Sequence, residues 1–312
     1  VTSGGSLDVA QIRPARPSDE RLSRTVGGRD AAPPEWDDWA EEPGYDIVAE
    51  EGGRIVGAIH VSIVGRAEAW MENLRVLPDF QGRGIAGQLV REAEHLAVHY
   101  GTAKLRTAIP AHEYAALAVA HRGGYHRVLQ CVVLETPITA EPQHVPYDAP
   151  VEPPDVSAAP AVTGFVSATQ TLQAWEQLLP LGWRFRRIVP ELLRGLIRDK
   201  RVLVAVRADA LRPGGNEETR KRGNKMGPAR REEELQGAVL FADHQKTVVV
   251  SLLEGTASAV QATFGALVEN RSGRAVVFTP DAQSLGPLGV REWVAHPWCP
   301  DGLVVVEKSV AS

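Results

Sequence analysis

Three glycines spaced Gly82-x-Gly84-x-x-Gly87 stand between a short apolar run ending at Leu77 and the amphipathic stretch QLVREAEHLAVHY. Glycines at a strand-to-helix junction suit a phosphate. The backbone approaches an anion closely where no Cβ intervenes, and the N–H groups of the first helical turn converge there. Read literally, the spacing is a dinucleotide fingerprint. That fingerprint needs the strand to run straight into the first glycine and an acidic residue to close the next strand. Neither condition holds. Five residues, Pro78 among them, separate Val76 from Gly82, and the next strand ends Thr107-Ala108-Ile109-Pro110.

The elements that must position this loop follow from periodicity and turn residues. A strand is expected near Ala10–Pro14 and a helical start at Pro17. Two strands flank Gly52-Gly53, and AWMENLRVL is a strand leading into the loop. A helix runs from the loop to about Tyr100, KLRTAI is a strand, AHEYAALAVAHRG a helix and HRVLQCVVLE a closing strand. Seven prolines in the 24 residues from Pro137 to Pro160 cannot build a core. Residues 138–160 therefore read as a linker between domains 1–137 and 161–312. The second domain repeats the tail of the first: RVLVAVRAD, LQGAVLFADH and KTVVVSLLEG are strands, TASAVQATFGALVEN a helix and RAVVFTP a strand. AQSLGPLGVREW reads as a helix and DGLVVVEKSV as a last strand. Its strand-to-strand distance is shorter, 23 residues from Leu252 to Ala275 against 29 from Val76 to Leu105, and Leu253-Glu254-Gly255 offers no glycine loop. The second copy has lost the phosphate loop. The insertion at about 209–235 carries seven basic and six acidic residues, so it reads as a solvated loop rather than a nucleic-acid patch.

Read from Gln81, the loop is Gln81-x-x-Gly84-x-Ala86, with a strand ending L-x-V-x-P before it and an amphipathic helix after it. This resembles the acyl-CoA loop of the GNAT superfamily of N-acetyltransferases, and the order of elements agrees over nearly all of residues 9–137. The resemblance implies an α/β (α+β) fold, here two tandem GNAT-like domains, each a mixed, mostly antiparallel twisted sheet flanked by helices. It implies acetyl-CoA as cosubstrate. The pyrophosphate would lie against Gln81, Gly82, Arg83, Gly84, Ile85, Ala86 and Gly87, and the pantetheine arm beside Leu74 and Val76. The reaction would be direct attack of a primary amine of a small molecule or peptide on the thioester. A backbone N–H near Val76 would be the oxyanion donor and Glu72 the base. Strict strand alternation would put Glu72, Leu74 and Val76 on one face. The family's second motif maps onto Glu113 to Tyr125, where Ala116, Gly124 and Tyr125 match. Its asparagine is replaced by Glu113 and its tyrosine by Ala120, so a non-catalytic acyl-CoA sensor is the alternative. Trp36 and Trp39, among acidic neighbours, fall where this family roofs the acceptor site, and with Glu113 they are the expected substrate residues.

Composition bounds the rest. A net charge of −5 argues against nucleic acid as a partner. Cys131 and Cys299 have no metal-ligand spacing, so no metal is expected. No apolar run reaches membrane-spanning length and no signal pattern opens the sequence, so a cytoplasmic monomer or homodimer, off the membrane, is the expectation.

Overall fold

The computed structural model describes residues 10–19, 44–64, 67–138, 151–206, 235–289 and 292–310. Trp36, Trp39 and nearly all of the charged insertion lie outside the described residues. In chain order the first elements are strands β1 (Gln11–Pro14), β2 (Gly44–Glu51), β3 (Arg54–Val64) and β4 (Glu68–Val76). Helix α1 (Ile85–His99), β5 (Lys104–Pro110), α2 (Tyr114–Arg122) and β6 (His126–Ile138) follow. Then come β7 (Val151–Glu152), α3 (Ala159–Ser167), α4 (Gln170–Ala174), a hairpin of β8 (Leu178–Leu181) and β9 (Arg184–Arg187), and α5 (Pro190–Arg198). The chain continues with β10 (Val202–Val206), β11 (Leu235–His244), β12 (Thr247–Gly255), α6 (Ala257–Val268), β13 (Gly273–Thr279), β14 (Val294–Ala295) and β15 (Leu303–Ser309).

Two compact units form, one from residues 1–128 and 303–312 and the other from 129–302. This differs from a division at 137 and 161. The boundary falls inside β6, most of which joins the second unit, while β15 returns to the first. Element order along a chain cannot reveal such an exchange, because pairing partners are set by non-local contacts. Residues 151–160, read as linker, already contain β7 and the start of α3. The stretch AQSLGPLGVREW forms a 3₁₀ turn over Ala282–Leu288 instead of an α-helix, with Pro287 inside it and Gly289 in the left-handed region behind it.

In the first unit the strands run β1-β2-β3-β4-β5-β15, antiparallel except for β4 and β5. The parallel pairing covers only Glu68–Trp70 against Lys104–Arg106, and past that point β4 and β5 no longer pair. β5 is instead zipped along its whole length to β15, Leu303 opposite Pro110 and Ser309 opposite Lys104. Helix α1 buries Ile85, Leu89, Val90, Ala93 and Ala97 on the sheet. It packs against β3 at Gly57, where a Cβ would stand 3.2 Å from Leu89 and 3.3 Å from Ile85.

The second unit has the same plan. β6 pairs with β13, and β12 lies parallel to β13 over Thr247–Val250 and antiparallel to β11. Gly237 of β11 repeats Gly57: it pairs with Gly255 as Gly57 pairs with Val76, and a Cβ there would stand 2.8 Å from Ala259 of α6. The two glycines mark the same contact between strand and helix.

Candidate active site

The loop after β4 is braced by its own side chains. Gln81 donates through Nε2 to the Val76 carbonyl at 3.0 Å. Arg83 donates to the Asp79 carbonyl at 2.7 Å and to Glu51 at 3.2 Å, and stacks over Phe80. Gly82 and Gly84 take φ values of 76° and 80°, which only glycine adopts without strain, and a Cβ at either would meet no atom of the described residues within 4 Å. Gly84 is the N-cap of α1, and among the described residues no side chain caps that end. The N–H groups of the first turn, Ile85, Ala86 and Gly87 included, thus open onto space in front of a fifteen-residue helix at its positive dipole end. These residues fit an anionic phosphate group.

The second unit makes the opposite arrangement. One residue, Thr256, joins β12 to α6, and its Oγ1 accepts from Ala259 N, closing the helix end with the chain's own side chain. Glu254 sits just before it, its carboxyl pushed above the ordinary value by burial while Thr171 acts the other way. Among the described residues the second unit has no counterpart of the open loop.

The gap between β4 and β5 begins at the end of their pairing. Leu77 N donates to Val56 O, and the Arg75 carbonyl lies over Gly57. Amide groups of an antiparallel strand alternate edges, so those of Leu74 and Val76 point away from β3, toward the gap.

Strict alternation fails in β4. Ala58 pairs with Arg75 but His60 with Glu72, so Asn73 and Leu74 together oppose Ile59, and Asn73 has φ 56°. This is a β-bulge. Leu74 and Val76 pack in the core beneath α1 with Ala69 and Met71. Glu72 takes the other face, beside Arg75, because their partners His60 and Ala58 are two apart on β3. The expected shared face of Glu72, Leu74 and Val76 is therefore corrected, and the cause is one extra residue at Asn73. Asn tolerates the left-handed region better than most residues, and that was the available signal.

On Glu72's face, His60 donates or accepts through Nδ1 at 2.8 Å from Asp46 of β2. Its ring occupies the space a Cβ at Gly44 would need, 2.3 Å from Nε2. Arg75 is partly buried and reaches the Leu74 carbonyl at 3.2 Å, on the gap edge. Burial pulls its guanidinium below the ordinary value, and the charge of Glu113 acts against that. Glu113 is exposed and precedes α2 as its N-cap residue. Arg75, His60 and Asp46 escaped the sequence reading, since only strand register places them near Glu72. Ala120 is buried in the core and His121 is exposed. Cys131 and Cys299 are buried thiols, the latter pushed up to about 12 by burial. Among the described residues there is no cluster of His, Cys, Asp or Glu able to hold a metal and no helix long and apolar enough to cross a membrane.

Residues 15–125 match the family model described as the acetyltransferase (GNAT) family. The first unit is a GNAT domain, and the chain has the architecture of a tandem GNAT protein. The whole-chain fold is similar to that of a tandem GNAT protein from the clavulanic acid biosynthesis pathway, at 15% identity and TM-score 0.55, covering 97% of this chain and 99% of that one. A GCN5-related N-acetyltransferase from Sphaerobacter thermophilus aligns with 15% identity and TM-score 0.59, over 97% and 96% of the two chains. An acetyltransferase-like structure from Thermoplasma acidophilum aligns with 14% identity and TM-score 0.51, over 96% and 99%. No curated protein sequence matches the chain.

Proposed function

We propose that the protein is an acetyl-CoA-dependent N-acetyltransferase that works through its first unit. The observation that supports this most is the uncapped N-terminus of α1 behind Gly82 and Gly84, beside the gap where β4 leaves β5. In this reading Gln81 through Gly87 hold the pyrophosphate, and the gap-facing amides of Leu74 and Val76 hold the pantetheine arm. The N–H of Val76 serves the thioester oxygen as charge builds on it. Glu72, on the opposite face, takes a proton from the incoming ammonium so that a neutral amine attacks. The C–N bond forms as the C–S bond breaks, and the second amine proton leaves with the thiolate as the thiol. Trp36, Trp39 and Glu113 are proposed to line the acceptor side.

Replacing Glu72 by Gln should lower kcat by about 10²- to 10⁴-fold, the usual contribution of a general base, and leave acetyl-CoA affinity unchanged. Thiol release across an amine panel, read beside a binding isotherm, checks it. An unaltered rate over the whole pH range removes Glu72 from the mechanism.

A non-catalytic acyl-CoA sensor is the second reading, favoured by the buried Ala120 where this family carries tyrosine. A thiolate is a good leaving group and can depart without that proton donor. Acetyl-CoA binding with no thiol release for any amine would favour the sensor.

A further inference from the structure

We propose that Glu51, at the tip of the β2–β3 hairpin, is a positioning residue for the cofactor. It draws the Arg83 side chain back across the loop, so that Arg83 clamps the loop in its binding shape and does not itself neutralise a phosphate. This rests on the reading of that loop as the acyl-CoA site and adds to it a residue from a different element.

Strand lengths bring the hairpin tip to the loop. β4 ends at Val76 opposite Gly57, while β3 extends back to Arg54, and the Val56 carbonyl accepts from Leu77 N at 2.8 Å. Past Val56 the hairpin turns at Gly52 and Gly53, with φ values of 58° and 77°, which sets Glu51 opposite Arg54. Both residues reach the loop. Glu51 accepts from Arg83 Nη1 at 3.2 Å, and the Arg54 guanidinium lies 5.9 Å from the centroid of the Phe80 ring.

Arg83 is held at three points: by Glu51, by the Asp79 carbonyl at 2.7 Å and over the Phe80 ring at 4.8 Å. Asp79 and Phe80 belong to the short 3₁₀ turn Pro78–Phe80 that opens the loop. The guanidinium therefore points back to the loop's start, whereas the N–H groups offered to phosphates stand at its end, from Ile85 onward. Gly82 and Gly84 leave the backbone between these ends unusually free, and ordering it during binding costs affinity. A loop already tied to the hairpin loses less freedom when the cofactor arrives.

If Arg83 met a phosphate directly, Glu51 would compete for that cation and repel the anion, so removing Glu51 would tighten binding. A clamp gives the opposite sign. The test uses the full chain, with acetyl-CoA calorimetry, melting temperature and thiol-release kinetics on each preparation. Glu51→Gln and Glu51→Ala should bind acetyl-CoA about 3- to 10-fold more weakly, the scale of ordering one segment or side chain. KM for acetyl-CoA should rise while kcat at saturation stays the same. Arg83→Gln should weaken binding to a similar degree, and the double variant no further, since both changes remove one clamp. Arg83→Lys decides independently of the Glu51 variants: lysine can still meet a phosphate but cannot hold two partners with a planar fork, so binding should fall as in Arg83→Gln. Equal or tighter binding without Glu51, losses that multiply in the double variant, or an Arg83→Lys protein with wild-type affinity each overturn the proposal. The expected binding pattern without thiol release from any amine would sink the transferase reading and leave this proposal standing.

Discussion

A chain with Gly84 replaced by valine should fold and fail to bind acetyl-CoA. At φ 80° a valine is strained by roughly 1–2 kcal/mol, but its Cβ would meet no atom of the described residues within 4 Å, so the fold has room for it. That strain is small against a domain stability of about 5–15 kcal/mol. The same side chain would stand in the space in front of the α1 N–H groups. Losing two charge-assisted hydrogen bonds, each contributing about 1.5–3 kcal/mol, weakens binding by about 10²-fold or more. Melting temperature and a binding isotherm on one preparation separate the two effects. Near wild-type affinity in the folded variant would mean that the phosphates lie elsewhere.

The second large effect concerns the last strand. A chain ending at residue 302 should lose acetyl-CoA binding although every loop residue remains. β15 pairs with all seven residues of β5, and Val304, Val306 and Val310 are buried in the core that α1 covers. Each contributes about 1.5–3 kcal/mol by leaving water. Glu307 holds Lys104 and the fully buried Arg106, while Lys308 reaches Glu94 of α1 at 2.8 Å. Removing one partner of a buried ion pair costs about 3–5 kcal/mol more. Together these losses match the whole stability of an ordinary domain. For the same reason residues 1–137 expressed alone should not give a folded acyl-CoA-binding unit. Circular dichroism and acetyl-CoA titration of the 302-residue chain check this, and undiminished binding there would show that β15 is dispensable.

What the sequence disclosed, and what it hid, divides along the range of the contacts involved. The glycine loop was legible because its cause is local: a strand, a proline, a positive-φ turn and a helix start follow one another in a dozen or so residues. The missing loop of the second unit was legible as a shortened spacing, and the single-residue join at Thr256 accounts for it. The bulge at Asn73 was not read, since one inserted residue leaves the apolar pattern of AWMENLRVL almost untouched while turning Glu72 to the other face. The return of β15 to the first unit was hidden more deeply. Its apolar alternation identified a strand, but nothing local in LVVVEKS says that Glu307 is to meet Arg106, some 201 positions earlier in the chain. The roof expected from Trp36 and Trp39 lies outside the described residues.

The central claim is that one acyl-CoA site exists per chain, at the open helix end of the first unit. Titrating acetyl-CoA into the full chain by calorimetry tests it most directly. One site per polypeptide is expected, and none in the Gly84 variant, because α6 begins behind a self-capped Thr256 with Glu254 beside it. Two sites per chain, or a single site that persists in the folded Gly84 variant, would contradict the account.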